Sequence, residues 1–313
     1  MNHIPIFIGA LKIYRYIAIY LLLVALPTST LIADTTAKKF DTSNIHWSKL
    51  TYSTSILFFF DLSADVLIEL VDSNEVVPNL INTNHGEGLL PKSEKTVLLT
   101  MLSNNLGRKS ELNLWLDEDL RSLQRIQLDT SGRHRRKSFR FLENGVFSLE
   151  NKPTNKKEKK LPPENWSKKS ENFHEADPEF LGKTVTDDVA LFYAISSATN
   201  LNEPGDQMKA FTFDKKENYV VTVAAIDYAD LNVNYIEGSK GNNRIIKEKV
   251  PTLKLLLTAH PYKNSQEVET KFLNLNEGID IYLDKKTRAI LQISADLKYI
   301  GRVDIKLDKI LLN

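Results

Sequence analysis

Apolar and polar residues alternate along most of this chain, with the period of two that is typical of β-strands. In the first third of the chain, such runs occupy residues 47–60, 64–71 and 95–104. β-Branched and aromatic residues dominate these runs, and Asn, Asp, Gly or Pro usually bound them. Further runs occupy residues 112–116, 121–129, 137–142, 146–149, 210–213, 219–226, 252–258, 279–283, 289–299 and 301–312. The pattern predicts a mainly β protein with one large antiparallel sheet.

One segment departs from this alternation and predicts a short central helix. In residues 186–198, TDDVALFYAISSA, apolar side chains recur at an approximately helical spacing. Thr186 can cap the first turn, and Asp187 and Asp188 lie near the positive end of the helix dipole. Pro204 is among the residues that end the pattern.

Two passages of the chain resemble each other. Residues 112–129 read LNLWLDEDLRSLQRIQLD, and residues 279–296 read IDIYLDKKTRAILQISAD. Aligned without a gap, they place Leu112, Leu114, Leu116, Trp115, Asp117 and Arg121 on Ile279, Ile281, Leu283, Tyr282, Asp284 and Arg288. One explanation is an internal duplication that gives two similar β-meander halves. The other is convergence, because any exposed hairpin needs alternation and a polar turn. Both explanations predict hairpins with Asp117 and Asp284 in the turns.

Residues 151–178 break the strand pattern in a different way. The segment is rich in Lys and contains several Pro residues. A sequence of this composition buries little apolar surface. We therefore expect a solvated, charged linker there.

The N-terminal residues have the layout of a signal peptide. Lys12 and Arg15 precede an apolar run at residues 17–26, and Pro27 breaks this run. The small residue Ala33 then offers a cleavage site.

Cleavage after this position would remove residues 1–33 and leave residues 34–313 as a single β-rich domain. An uncleaved membrane anchor is the alternative, because residues 16–33 could just span a bilayer. We expect an exported, periplasmic protein whose membrane contact is transient or made by an uncleaved N-terminus.

The composition narrows the possible chemistry. The chain has no cysteine, which removes disulfides, thiolate nucleophiles and cysteine-ligated metals. Its 41 basic and 40 acidic residues give a formal charge of +1. No overall field favours nucleic acid, so we expect no nucleic-acid partner.

The sequence contains no GxSxG, Walker A or GxGxxG motif. The cluster HEAD at residues 174–177 offers metal-ligand types but lacks a second histidine at helical spacing. We therefore predict no catalytic residue, metal ligand or cofactor, although an enzyme remains an alternative because a catalytic site can be assembled from distant residues.

The run ILFFF at residues 56–60 is apolar on both faces of a strand. A strand of this kind is usually buried on both sides. The alternative is that one face lines an apolar cavity inside a curved sheet, which makes Phe58 and Phe60 candidate ligand contacts. The choice between core and cavity also applies to the leucines of residues 253–257.

A basic cluster, RHRRK, occupies residues 133–137. Arg133, Arg135 and Arg136 could bind the phosphate of a lipid head group or an acidic glycan. The alternative is a solvated turn between two strands.

Three passages carry a family resemblance. WLDEDLRSLQRIQLDTSGRHRRKSFRFLENGV, EFLGKTVTDDVALFYAISS and IDIYLDKKTRAILQISADLKYIGRVDIKL resemble domain-of-unknown-function family 3108 of bacterial envelope proteins. The likeness covers roughly residues 95–312 and includes Gly301 before the last strand. Ile290 stands where the family often has a proline, and the family's opening hairpin is not clear in residues 55–70. The resemblance implies an exported β-rich domain, and it brings no established activity. It also implies a curved sheet like those of lipoprotein carriers, so we expect the antiparallel sheet to be curved like half of a barrel.

Together these observations favour a non-enzymatic cell-envelope protein that binds a lipid-like or other hydrophobic ligand in a concave sheet. A hydrolase or lyase acting on an envelope polymer is one alternative. The other is an assembly partner that docks on an envelope protein by an edge strand.

Overall fold

The fold was analysed in a computed structural model. The structure describes residues 39–56, 60–105, 108–132, 134–214, 217–239, 241–261, 278–297 and 301–313.

The described residues form fifteen strands and two short α-helices. In the first half, the strands are β1 (Trp47–Ile56), β2 (Phe60–Asp72), β3 (Lys95–Asn105), β4 (Arg108–Leu116), β5 (Ser122–Asp129), β6 (Arg135–Leu142), β7 (Gly145–Lys152) and β8 (Lys168–Glu175). In the second half they are β9 (Val185–Asp187), β10 (Gln207–Asp214), β11 (Glu217–Ser239), β12 (Asn242–Pro261), β13 (Ile279–Asp284), β14 (Ile290–Leu297) and β15 (Gly301–Leu312). The helices are α1 (Ser73–Val76) and α2 (Leu191–Ser197). The prediction of a mainly β protein is confirmed.

All fifteen strands belong to one sheet, in the order β8-β7-β6-β5-β4-β3-β2-β1-β15-β14-β13-β12-β11-β10-β9. Strand β1 therefore lies at the centre of the sheet, and the strands that follow it form a meander outwards to β8. The chain then crosses to β9 at the other edge, and a second meander returns to the centre at β15. Most neighbours are antiparallel, as predicted, but β9 pairs with β10 in parallel and β11 pairs with the end of β15 in parallel. Because of this last pairing, strands β11 to β15 close on themselves as a hydrogen-bonded ring.

The sheet curves so that its β9 edge reaches the inner face of β5. Arg125 of β5 places Nη1 2.7 Å from a carboxylate oxygen of Asp187. The hydroxyl groups of Ser122 and Thr186 lie 3.0 Å apart in the same contact. The expected curvature is thus confirmed by side chains that join strands lying far apart in the sheet order.

Helix α2 lies inside this curve and is buried on all sides, because all seven of its residues are buried. Its Phe192 ring lies 6.2 Å from the ring of Tyr52 on the central strand β1. The helix is preceded by a single 3-10 turn whose cap is Asp187, since that side chain accepts a hydrogen bond from the Val189 amide. The predicted cap, Thr186, was wrong by one residue, because it pairs in β9 and its hydroxyl contacts Ser122.

The end of α2 is held by a buried arginine. The Arg288 guanidinium donates hydrogen bonds to the carbonyl oxygens of Ser196, Leu201, Ile195 and Ala198, at 3.1, 2.6, 2.9 and 3.0 Å. These include carbonyl groups that a helix leaves unpaired at its C-terminal end. Arg288 therefore fixes the end of α2 and the start of the α2–β10 connection to the β13–β14 hairpin.

The two similar passages do form hairpins with Asp117 and Asp284 in the turns, as predicted. In each hairpin the pairing shifts by one residue beside the turn, after Trp115 and after Tyr282. This shift leaves Leu123 unopposed in the first hairpin and, at the same place, Leu291 in the second. The shared irregularity extends the likeness of the two passages beyond simple alternation.

The gap-free alignment of Arg121 with Arg288 is nevertheless wrong. The first turn closes through the amide of Asp117 and the carbonyl of Arg121, whereas the second closes through Asp284 and Ala289. The second turn is one residue longer, so Arg288 corresponds to Leu120. Both of these residues have a positive φ, 58° and 74°.

The segment expected to be a linker, residues 151–178, contains the edge strand β8. The first five residues of β8 are all exposed. Charged residues on an edge strand prevent it from pairing with another chain, so the composition that suggested a linker fits an edge as well. Before β8, residues 153–167 fold over β6 and β7 and bury Trp166.

Strands β11 and β12 are much longer than their apolar runs predicted. They pair from Tyr219 opposite Pro261 to Ser239 opposite Asn242. The distal half is mostly exposed and contains Asp, Asn, Glu and Lys, which hides its strand character. Within the described residues, no helix is both long and apolar enough to cross a bilayer.

Candidate functional site

A pocket of about 220 Å³ opens at one end of strands β6 to β8. The ends of these strands form one wall, and residues 180–185, which lead into β9, form the other. Phe213 of β10 and Asn218 of β11 complete the lining. The pocket therefore lies where the curved sheet brings its two edges together.

The floor of the pocket is aromatic and aliphatic. Phe141 and Val146 reach it from β6 and β7, and their side chains are buried in a small core cluster with Phe213. The rings of Phe141 and Phe213 lie 6.5 Å apart, nearly perpendicular to each other. This edge-to-face packing fixes the shape of the floor. Leu89 and Phe180 extend the apolar surface.

The rim of the pocket is charged. Its basic side chains are Lys92, Arg121 and Lys183, and its acidic ones are Glu143 and Glu175. Arg121 and Lys92 are each paired with a carboxylate outside the lining, at 2.8 Å in both cases. The Lys183 ammonium lies 4.7 Å from the centre of the Phe211 ring, within the range of a cation–π contact.

Gly145 also lines the pocket, at a position that leaves no room for a side chain. A Cβ atom at this position would lie 2.2 Å from the carbonyl oxygen of His174 in β8. The absence of a side chain lets β7 and β8 approach each other closely. His174 lies beside the Phe213 ring, with the two ring centres 5.5 Å apart.

Of the residues proposed as ligand contacts from the sequence, the two whose side chains the structure describes, Arg135 and Arg136, do not line this pocket. Phe58 and Arg133 lie outside the described residues, as does the side chain of Phe60. Arg135 contacts Asp129, with its Nε 3.0 Å from the carboxylate. Arg136 follows directly in the same strand, so its side chain points to the opposite face of the sheet.

The leucines whose role was open between core and cavity are now placed. Leu253, Leu255 and Leu257 are buried in the main core cluster, and Leu256 is only partly buried against it. The inner face of the central strands is thus filled by packed side chains and by α2.

His85 and His174, the histidine of the HEAD cluster, both lie against aromatic rings. His85 stacks on the Phe173 ring at a centre distance of 5.0 Å. His174 and Glu175 both line the pocket. Across the ranges that the structure describes, no group of three or more His, Asp or Glu residues is arranged to hold a metal ion.

Sequence reasoning missed the pocket itself. The alternation of Phe139 and Phe141 with polar residues was visible, and so was the strand that contains Phe213. What brings these rings together is the curvature of the sheet, which depends on the crossover and cannot be read from local alternation.

Comparisons with protein-family models, characterised proteins and solved structures give no match to this chain. The resemblance to domain-of-unknown-function family 3108 therefore stays a prediction.

Proposed function

We propose that this protein is an exported, non-enzymatic binding protein of the cell envelope. Its ligand would be small and largely apolar, with one acidic group. The observation that carries the proposal is the pocket at the ends of β6 to β8, with its aromatic floor and charged rim. The sequence suggested a ligand site at the centre of the concave sheet, which α2 occupies. The site proposed here lies instead at the edge of the sheet.

The volume of the pocket limits the size of the buried part of the ligand. An apolar cavity of about 150 Å³ is large enough for one benzene ring. A pocket of about 220 Å³ accommodates one ring or a short acyl tail. Complete small-molecule sites usually measure about 300–1,000 Å³, so a larger ligand would leave its remainder outside the mouth.

The charges at the rim favour an acidic group on the ligand. Three basic side chains and two acidic ones line the pocket. A carboxylate or phosphate at the mouth could accept charge-assisted hydrogen bonds from these basic side chains, in competition with the carboxylates that pair with Arg121 and Lys92, while its apolar part contacts Phe141 and Phe213.

Binding of matched probes tests this proposal. Octanoate and 1-octanol have the same number of carbon atoms, and only octanoate carries a charge. We expect calorimetry on the full chain to show octanoate binding at least tenfold tighter than octanol. Equal affinity would show that the charges of the rim do not contribute to binding. If neither probe bound, a small, largely apolar ligand would be refuted.

A blocked pocket supplies the control. Thr184 lines the pocket, and Thr184→Trp would fill its mouth. Lys247 is exposed on β12, and Lys247→Trp adds the same side chain elsewhere. Octanoate affinity should fall at least tenfold only in the first variant, and an equal fall in both would count against this pocket.

Export is a separate part of the proposal and rests on the N-terminal pattern of charge and hydropathy. Cell fractionation and the mass of the intact chain would test it. We expect a chain shortened near Ala33 in the periplasmic fraction. Full-length protein in the cytosol would refute export without affecting the pocket.

A further inference from the structure

A cluster of three cations lies on the inner face of β6 and β7, around one carboxylate. The Glu150 carboxylate lies 2.5 Å from the Lys152 ammonium, 3.7 Å from the Arg135 guanidinium and 4.0 Å from the Lys137 ammonium. Register explains this arrangement, because Lys137 and Glu150 are direct partners in the β6–β7 pair and project from the same face.

The carboxylates near this cluster do not balance its charge. Asp129 is the other acid, and its carboxylate accepts hydrogen bonds from Nε and Nη2 of Arg135 at 3.0 and 2.5 Å. Lys168 of β8 stands directly opposite Lys152 and brings a further positive charge to this face. Like charges at directly opposed positions destabilise a sheet, so a counter-charge there would be favourable.

The next cation along this face already has its own partners. Arg125 contacts the carboxylates of Asp187 and Asp188, at 2.7 and 3.5 Å. That group holds β9 against β5 and is buried. The excess positive charge is therefore confined to the open end of the face.

Lys137 is the least compensated member of the cluster. Within the described residues, the only carboxylate in reach of its ammonium is Glu150, at the outer limit of an ion pair. Partial burial lowers the pKa of Lys137, and the neighbouring Arg135 lowers it further. An ammonium group has three hydrogen-bond donors, which a bound anion could use.

We propose that Lys137, Lys152 and Arg135 form a binding site for a phosphate-like anion. The anion would lie beside Glu150 and receive charge-assisted hydrogen bonds from the two lysines. The side chains of the three cations are 35%, 39% and 22% exposed, so the site is reachable but partly shielded from solvent. The sequence pointed to Arg133, Arg135 and Arg136 for this role. The structure places Lys137 with Arg135 and turns Arg136 away, and Arg133 lies outside the described residues.

This anion site is distinct from the pocket. Phe141 of the pocket floor is four residues beyond Lys137 on β6, which corresponds to about 14 Å along a strand. The phosphate could be free or could belong to a lipid head group, and the experiment separates these two sources.

The test uses the full chain and two anion probes. Calorimetry measures binding of inorganic phosphate at low salt. Co-sedimentation measures binding to phosphatidylcholine vesicles with and without phosphatidic acid. Binding of free phosphate with no preference for the acidic vesicles indicates a soluble anion, and binding of only the acidic vesicles indicates a head group. Binding of neither probe overturns the proposal.

Variants with opposite expected effects connect the binding to this site. Lys137→Met with Lys152→Met should weaken binding at least tenfold, because both main donors are lost. Glu150→Gln should strengthen it severalfold, because the competing carboxylate is removed. Since one change weakens and the other strengthens binding, general unfolding cannot imitate both results.

Two controls complete the design. Lys247→Met with Lys286→Met removes two exposed lysines from the other half of the sheet. Arg136→Met removes the neighbouring cation that faces the opposite way. We expect both controls to bind within twofold of the natural chain. If either control loses as much affinity as the Lys137 and Lys152 variant, the proposal is overturned.

Discussion

Replacing Arg288 tests how much the buried guanidinium contributes to the fold. The side chain is 6% exposed and donates four hydrogen bonds to carbonyl oxygens at the end of α2. Arg288→Met keeps most of the apolar stem but removes every donor. A hydrogen bond from a charged group contributes about 1.5–3 kcal/mol net. The four bonds are not additive, because burial of the charge opposes them, as the lowered pKa of Arg288 shows. We expect the free energy of unfolding to fall by about 3–5 kcal/mol.

Two companion variants separate the charge from the backbone. Arg288→Lys keeps a positive charge but loses the planar fork that reaches several carbonyl groups at once, so we expect a loss of about 2 kcal/mol. Arg288→Gly and Arg288→Ala both remove the side chain, and they differ in the backbone. Because φ is 58° here, glycine should be more stable than alanine by about 1 kcal/mol.

Equilibrium unfolding in urea, followed by circular dichroism, measures all four variants. The Met variant would contradict the argument if it lost less than about 1 kcal/mol. A Lys variant as stable as the natural chain would show that charge alone, and not the fork, holds the helix end.

Further predictions concern three other parts of the sheet. The hydrogen bond from the Thr154 amide, followed by those from Ser167 and the Thr154 hydroxyl, lowers the pKa of Glu158 from 4.5 to about 2. The stabilisation of this loop is therefore fully present above pH 4.5 and is lost as the pH falls through about 2; a carboxyl NMR titration with a midpoint near 4.5 would contradict this. Gly145→Ala should lower the free energy of unfolding by about 1–3 kcal/mol in urea, since its Cβ meets the backbone of β8, and an unchanged midpoint would show that β8 can move. Lys169→Val with Glu171→Val removes charges from the edge strand β8 and should cause self-association in light scattering, unless the edge is protected by other means.

Much of the fold could be predicted because alternation is local. β4 and β13 show it clearly, with every second residue buried from Leu112 onward in β4 and throughout β13, and both were identified. The distal parts of β11 and β12 were missed for different reasons. In β12 most side chains are exposed, as at Ile245, which is 74% exposed, so hydropathy shows no clear period. In β11 the period was present but overlooked, since Leu231, Val233 and Tyr235 pack on the core between exposed polar residues.

The candidate sites were harder to predict, because they depend on which face and which edge a residue reaches. Arg135 and Arg136 are equivalent as sequence, and only the pleat assigns them to opposite faces. The contact between Phe141 and Phe213 depends on the crossover from β8 to β9, which no short-range pattern encodes. The one-residue difference between the two similar turns was likewise hidden, since Arg121 and Arg288 coincide in a gap-free alignment.

The central position of β1 and β15 has a consequence for biosynthesis. β1 is made first and β15 last, yet the two are neighbours over residues 47–53 and 306–312. One side of β1 therefore has no partner until β15 is available, whether the chain folds as it is made or after export. A chain interrupted before Gly301 would keep that side exposed at the middle of the sheet, where another copy could occupy it.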